Sequence, residues 1–507
     1  MKKKNIAILF LSIILIGLTS CESNLDLSDP NRVTDSNFWK TEAQFKSAMT
    51  GVYPLLKNAT NGYYGRTGVR LRNTRGDEFI WRSNTPDIYT LHIFTNANTN
   101  GVVQNLFYSC YAGIYRTSVI LEKIESASLA TDFTSEIKGQ CYFLRGLFYF
   151  ILANEFGDVP IRQTPSQDPN TFPIEKSSQA DVYSQSISDF KQASDLLPVV
   201  TDAYRPSKGA ALAFIGKAYI YIANWAKAKE TLEPLTKSPY TYALVNDFEW
   251  NFDEEHENNA ESIFEIPFVN LGGTNVFSDG ESTSSSQAAP IGIDYAAAAV
   301  GGWFNTTVQP AALDTLLKEK DKDGNVDYRT RMTVAWNYPG CVYYMKPFQE
   351  VFSGANSAEG NSIWLLKYQN WKTRTFEDAS ARSYINDRAF RYANVIMFLA
   401  EAENELGNSS AAIGYINQIR MRANLTPYVG ATSKGAIKNE IIHQRYVEFF
   451  KEGERFYDLR RWGLLEEAIK KADPIRGANI QKKHEYLPIP AKELQTNSLC
   501  KQNPLWE

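Results

Sequence analysis

The stretch SKGAALAFIGKAYIYIANWAKAKETLEPL, residues 207–235, constrains the fold of this 507-residue chain more than any other. Ile215, Gly216, Tyr219, Ala228 and Leu232 recur at helical spacing, with small and large residues at fixed offsets. Small residues let two antiparallel helices approach closely, and the larger ones fill the gap between neighbouring pairs. A unit of this kind cannot bury its apolar face alone, so it must be stacked on others. A weaker echo lies in MFLAEAENELGNSSAAIGYINQIRMRA, with Ala400, Glu403, Ala412 and Ile416 at equivalent offsets. Gly216 and Ala400 are 184 residues apart, which excludes a simple tandem array and points to a repeat scaffold interrupted by long insertions.

The spacing is that of a tetratricopeptide repeat. Three further segments share the helical period. Residues 41–57 place Phe45, Met49, Val52 and Leu56 on one face, and residues 104–124 do the same with Leu106, Tyr111, Ile114, Tyr115, Val119 and Leu121. The third, 135–154, ends at FGDVP, where Gly157 and Pro160 stop it. Residues 241–380 lack the pattern and are rich in Gly, Ser, Asn and Asp, yet contain Trp250, Trp303, Trp336, Trp364 and Trp371. Loop regions of that length are functional or disordered, and the aromatic content argues for an ordered, functional one. The expected fold is therefore mostly α, a tetratricopeptide-like scaffold with loop-rich aromatic insertions and minor β structure.

The amino terminus, MKKKNIAILFLSIILIGLTSCESN, carries three lysines before an apolar run from Ile6 to Leu18. Its 13 residues fall short of the ~20 that a helix needs to cross a bilayer, so the segment is expected to be a secretory signal peptide. Leu18-Thr19-Ser20-Cys21 resembles a bacterial lipobox, which implies cleavage before Cys21, acylation there and a lipid anchor. Loss of residues 1–20 leaves 50 basic against 57 acidic residues, a charge of −7 that gives no footprint for nucleic acid. Cys110, Cys141, Cys341 and Cys500 remain, widely spaced and without a C-x-x-C pair, so zinc or redox chemistry is not expected. Disulfides fit an exported chain, but spacing assigns no partners. Cys110 and Cys141 fall in apolar helical patterns, as core residues do.

Three stretches carry a family resemblance: LRGLFYFILANEFGDVPI (144–161), RYANVIMFLAEAENELG (391–407) with INQIRMRAN (416–424), and RYVEFFKEGERFYDLRRWG (445–463) with YLPIPAKEL (486–494). They resemble signatures of the SusD/RagB family of outer-membrane nutrient-binding lipoproteins. Asp327–Arg329 and Leu366–Tyr368 sit where that family has short signatures, whereas the ending Gln502-Asn503-Pro504-Leu505-Trp506 departs from its common QNPGY. The resemblance spans essentially the whole mature chain. It implies a lid-like subunit, surface-exposed and lipid-anchored in the outer membrane. Such a subunit captures oligosaccharide, or in some members peptide, for a SusC-like TonB-dependent transporter, without catalysis. The corresponding division is a signal peptide (1–20), a lipidated tether (21–37), an amino-terminal helical domain (38–240), the aromatic insertion as ligand face (241–380) and a carboxy-terminal helical domain (381–507). In 445–463 the spacing suggests a helix with Tyr446, Phe449 and Phe450 as its apolar stripe, and Arg445–Glu448 and Arg455–Asp458 as ion pairs on its polar side.

Sugar binding calls for flat apolar faces against the C–H side of a pyranose and planar polar groups for its hydroxyls. Two regions offer that mixture: NTRGDEFIWRSN (73–84), with Asp77 and Trp81 near Arg75, and GGWFNTT (301–307) with AWNYPG (335–340), with Trp303, Asn305, Trp336 and Tyr338. The same aromatics would also suit a contact with the transporter, as helical-repeat proteins present partner surfaces. No catalytic, phosphate-loop, dinucleotide or metalloprotease motif is present, and no cofactor is expected. A glycoside hydrolase would need two carboxylates about 5–10 Å apart. Asp77-Glu78 and Asp253-Glu254-Glu255 are the acidic loops to weigh for it. DKDGNVD (321–327) hints at a calcium loop, but its glycine comes too early and Met332 stands where the bidentate glutamate belongs, so no metal is expected.

Overall fold

The computed structural model describes residues 34–35, 37–165, 168–269, 292–377 and 383–507. The leader, Cys21 and the tether up to residue 33 lie outside the described residues. The first helix, α1 (Glu42–Thr50), opens with a capping box in which Thr41 and Gln44 satisfy each other's backbone. The periodicity of 41–57 runs on, but the helix stops at Gly51 and a separate turn restarts at Pro54–Lys57, because Pro54 has no N–H to donate. Next come α2 (Arg66–Thr74), α3 (Gly101–Glu125), α4 (Thr131–Phe156), α5 (Gln179–Leu196), α6 (Lys208–Tyr221) and α7 (Trp225–Leu232). Side chains of Asn100, Ser178, Ser207 and Asn224 accept from the first-turn N–H groups of α3, α5, α6 and α7. Gly157, at φ +75°, ends α4.

From α3 to α7 each helix packs on the next, and α7 then packs on α8 (Tyr392–Glu405), followed by α9 (Ser409–Arg422) and α10 (Lys434–Glu448). The superhelix is thus continuous although residues 233–391 intervene in sequence. Gly216 is required at its centre, since a Cβ there would lie 2.3 Å from the Leu232 side chain. Lys229 of α7 pairs with Glu403 of α8 at 2.8 Å, and Ala228, Leu232, Ala400, Ala412 and Ile416 are all buried along this seam. Four short antiparallel pairs make up the β structure of the described residues: β1 (Phe79–Trp81) with β3 (Thr306–Val308), β2 (Ser262–Ile266) with β8 (Asp387–Arg391), β4 (Val334–Ala335) with β7 (Trp364–Leu365), and β5 (Val342–Tyr343) with β6 (Lys346–Pro347). β2 and β8 join the two sides of the insertion. Beyond them it builds its own apolar cluster around Tyr343, Tyr344, Phe348, Phe352, Trp364 and Trp371.

The 445–463 stretch corrects the sequence reading. α10 ends at Glu448 and Gly453, at φ +77°, turns the chain into α11 (Arg455–Arg461). The turn changes every pairing expected from i,i+3 spacing. Arg445 pairs with Asp458 at 2.7 Å, Arg455 with Asp77 at 2.7 Å, and Glu448 with Arg329, Arg391 and Arg422. These groups are buried rather than on a polar side. Burial favours protonation of Glu448, but the three guanidinium groups outweigh it and hold the carboxyl well below the usual range. Arg391 also binds Glu261 and Glu452, and Lys367 binds Glu452, so Asp327–Arg329, Leu366–Tyr368 and 445–463 meet in one charge network. The carboxy terminus is anchored as well: Trp506 Nε1 donates to the Tyr486 carbonyl at 3.1 Å and its ring meets His484 edge-on. Cys110, Cys141, Cys341 and Cys500 are buried, unpaired thiols.

Candidate functional site

The β1–β3 ladder aligns Phe79 with Val308, Ile80 with Thr307 and Trp81 with Thr306, joining two stretches that sequence analysis selected separately. Side chains alternate along a strand. Phe79 and Trp81 therefore point into the core while Ile80 lies at the surface. Trp81 is only 2% exposed and meets Tyr295 edge-on, with ring centroids 5.7 Å apart. Asp77 receives two bonds of 2.7 Å from Arg455. Burial would raise its pKa, but Arg455 prevails and keeps it below the ordinary value. The expectation of an open polar loop at Asp77 and Trp81 is thereby corrected: strand pairing buries one and the carboxy-terminal half pairs with the other. Glu78 is likewise buried, which pushes its carboxyl up to about 8, and it accepts from the Lys451 N–H at 2.9 Å.

The exposed groups follow directly after β1. Arg82 lies over the Phe304 ring at 4.5 Å and donates to the Phe304 carbonyl at 3.1 Å, while its own N–H donates to the Asn305 carbonyl. Asn84 donates to Asn305 Oδ1, and Asn305 donates to Asp294 Oδ1, both at 2.6 Å. Asp294 is in turn held by Arg66 and Arg70 of α2. Burial would raise the Asp294 pKa, yet Arg70 and Arg66 bring it down to about 2. Asn305 is thus buried and fixes the backbone of the face. Trp303, half-buried, lies under the Arg66 guanidinium at 4.5 Å.

Trp336 and Tyr338 form a tilted ring pair with centroids 4.2 Å apart, both half-buried. Burial, with a smaller effect of Cys341, pushes the Tyr338 hydroxyl up to about 12, so it stays a neutral donor. Trp336 follows β4, whose Ala335 is opposite Trp364 of β7, and Trp364 packs on Phe304 at 4.9 Å. β3 and β7 belong to separate two-stranded ladders that meet where the Val308 N–H donates to the Ile363 carbonyl. The structure therefore sets Trp303 and Asn305 beside Arg82, Asn84 and Phe304, and leaves Trp336 and Tyr338 as a separate ring pair after β4. Arg82 and Asn84 were legible only through the alternation of FIWRSN, in which neighbours cannot share a face.

The other acidic and polar loops are satisfied internally. Asp253 binds His256 at 2.7 Å and Glu254 binds Arg374 at 3.1 Å. In 321–327, Asp321 Oδ1 accepts from the N–H groups of Asp323 and Asn325, a polar turn, while Asp327 is buried against Arg329. Among the described residues no cluster of three or more His, Cys, Asp or Glu is placed to hold a metal ion, and no helix is long and apolar enough to cross a membrane. A groove of about 810 Å³ lies elsewhere, on α3, where Tyr108, Tyr111 and Tyr115 face Ile161 and Phe172.

Residues 260–506 match the model of the SusD family, and residues 24–220 match a model described as starch-binding associating with the outer membrane. A crystal structure of a SusD superfamily protein from Bacteroides vulgatus superposes with a TM-score of 0.85 at 49% identity, covering 92% of this chain and 99% of the other. SusD-like protein P2 of Formosa agariphila is 27% identical, covering 99% of this chain and all of its own. Starch-binding protein SusD of Bacteroides thetaiotaomicron is 23% identical, covering 99% of each.

Proposed function

Because the chain belongs to the SusD superfamily, we propose that it is a surface-exposed outer-membrane lipoprotein, anchored through Cys21, that binds an oligosaccharide or polysaccharide nutrient and delivers it to a TonB-dependent transporter without catalysis. The observation that carries the ligand assignment is the Arg82–Phe304 pair. It stacks an exposed planar guanidinium on a half-buried aromatic ring, from loops more than 200 residues apart, next to Asn84 and Trp303. Aromatic faces and planar polar groups are what pyranose rings require. A relative named as starch-binding and a family model described in the same terms support the carbohydrate class. The exposed tyrosine groove on α3 supports a separate partner surface, leaving the loop face to the nutrient. A non-catalytic role is supported by the acids weighed for hydrolysis, of which Asp77 and Glu254 are each paired with an arginine and Asp253 is hydrogen-bonded to His256.

The test is a binding screen of residues 22–507 against polysaccharides and peptides by calorimetry and tryptophan fluorescence, with the same mixtures assayed for cleavage. Saturable glycan binding without products is expected. Peptide binding alone would replace the ligand class, and glycan cleavage would overturn the non-catalytic assignment.

A further inference from the structure

A second cleft, of about 330 Å³, opens between residues 247–256 and 366–373, with neither Arg82 nor Phe304 in its lining. Trp250 on its wall is 38% exposed, an unusual display for so large an apolar ring. It stacks on His256 at 4.6 Å with 9° between the planes, which covers one face of the indole. Two amides line the same cleft, Gln369 at 6% exposure and Asn370 at 5%. The Tyr344 hydroxyl lies 2.6 Å from Glu377 Oε2 and 2.7 Å from the Gln369 side-chain amide, which holds that side chain against the cleft wall. Asn370 Nδ2 is buried and has no acceptor. Buried amide donors are nearly always paired, so an unpaired one in this cleft calls for a ligand that brings an acceptor oxygen.

The ligand's charge follows from the mouth. Asp253 and Glu254 are already paired with His256 and Arg374, and Glu255 is exposed beside them. Lys367 and Lys372 also line the cleft, paired with Glu452 and Glu249, so charges of both signs are already matched and a ligand of either charge would have to displace a partner. The volume is at the low end of small-molecule sites, enough for one ring. We propose that this cleft is a second binding site, separate from the loop face, for a single neutral pyranose unit, whose flat C–H side covers Trp250 and one of whose hydroxyl oxygens accepts from Asn370.

Calorimetry and tryptophan fluorescence on the purified protein test this, with methyl α-glucoside, methyl α-galactoside, methyl α-mannoside and glucuronate as probes. At least one neutral glycoside should saturate and bind more tightly than glucuronate. Trp250→Ala and Asn370→Ala should each weaken it by about tenfold or more. Asn370→Ala removes no existing side-chain amide bond, so it tests the site even where the larger truncation affects folding. Binding of none of the three glycosides, tighter binding of glucuronate, or binding that survives both substitutions would overturn the proposal. Loss on Arg82→Ala with retention in Trp250→Ala would also overturn it, while leaving the loop face intact as the glycan site.

Discussion

Trp81 and Arg82 are neighbours in sequence with opposite roles. The indole fills the core beside Tyr295, whereas the guanidinium stays at the surface over Phe304. Truncating a fully buried Trp removes its transfer energy and leaves a cavity, so Trp81→Ala should destabilise the fold by about 3–5 kcal/mol in urea titrations. Arg82→Ala should change stability by no more than about 0.5 kcal/mol, as exposed positions generally do. A reversal of that order would mean that the strand register is displaced by one residue. Tryptophan content singled out this stretch but did not say which of its side chains reach the surface. Composition does not distinguish inward from outward positions; period-two alternation does, and it becomes decisive only once a β-strand is assigned at 79–81.

Among elements, the link between α2 and the loop face rests on Asp294. Its folded-state pKa of about 2 lies below the ordinary value of 3.8, so the unfolded chain binds that proton more readily. The associated stability is fully present above about pH 5 and is lost as pH falls through 4 toward 2, amounting to about 2 kcal/mol. Urea unfolding at pH 7, 4 and 2.5 should show this loss, and Asp294→Asn should flatten the profile while lowering stability at pH 7. An unchanged profile in the variant would assign the acid sensitivity to other carboxylates. The helices at 104–124 and 135–154 were legible from their period, and so was the tetratricopeptide-like pair. The pairings in 445–463 were not, because Gly453 reverses the chain and Arg455 reaches a partner, Asp77, that is remote in sequence.

For the whole molecule, α7 packing on α8 makes the two halves of the chain one superhelix. Gly216→Val should therefore destabilise both halves together, seen as a single denaturation transition shifted to lower urea, since no Cβ fits beside Leu232. Two separate transitions, with only the amino-terminal one shifted, would show that the seam does not couple them. Cys21→Ser should abolish outer-membrane fractionation without lowering the melting temperature of the soluble chain; retention in the membrane would exclude lipid anchoring at that residue. Both halves of the loop face were visible in sequence as aromatic, polar loops, but their union was not. It depends on a ladder between residues 79–81 and 306–308 that no local pattern encodes.

The most direct test of that union is a double-mutant cycle on Arg82→Ala and Phe304→Ala, with affinity for the captured glycan read by calorimetry. A shared face should lose about tenfold with either substitution, and the double variant should be weaker than the singles by less than the product, a coupling of about 0.5–1 kcal/mol. Unchanged affinity in both folded variants would contradict the assignment of the loop face to the ligand.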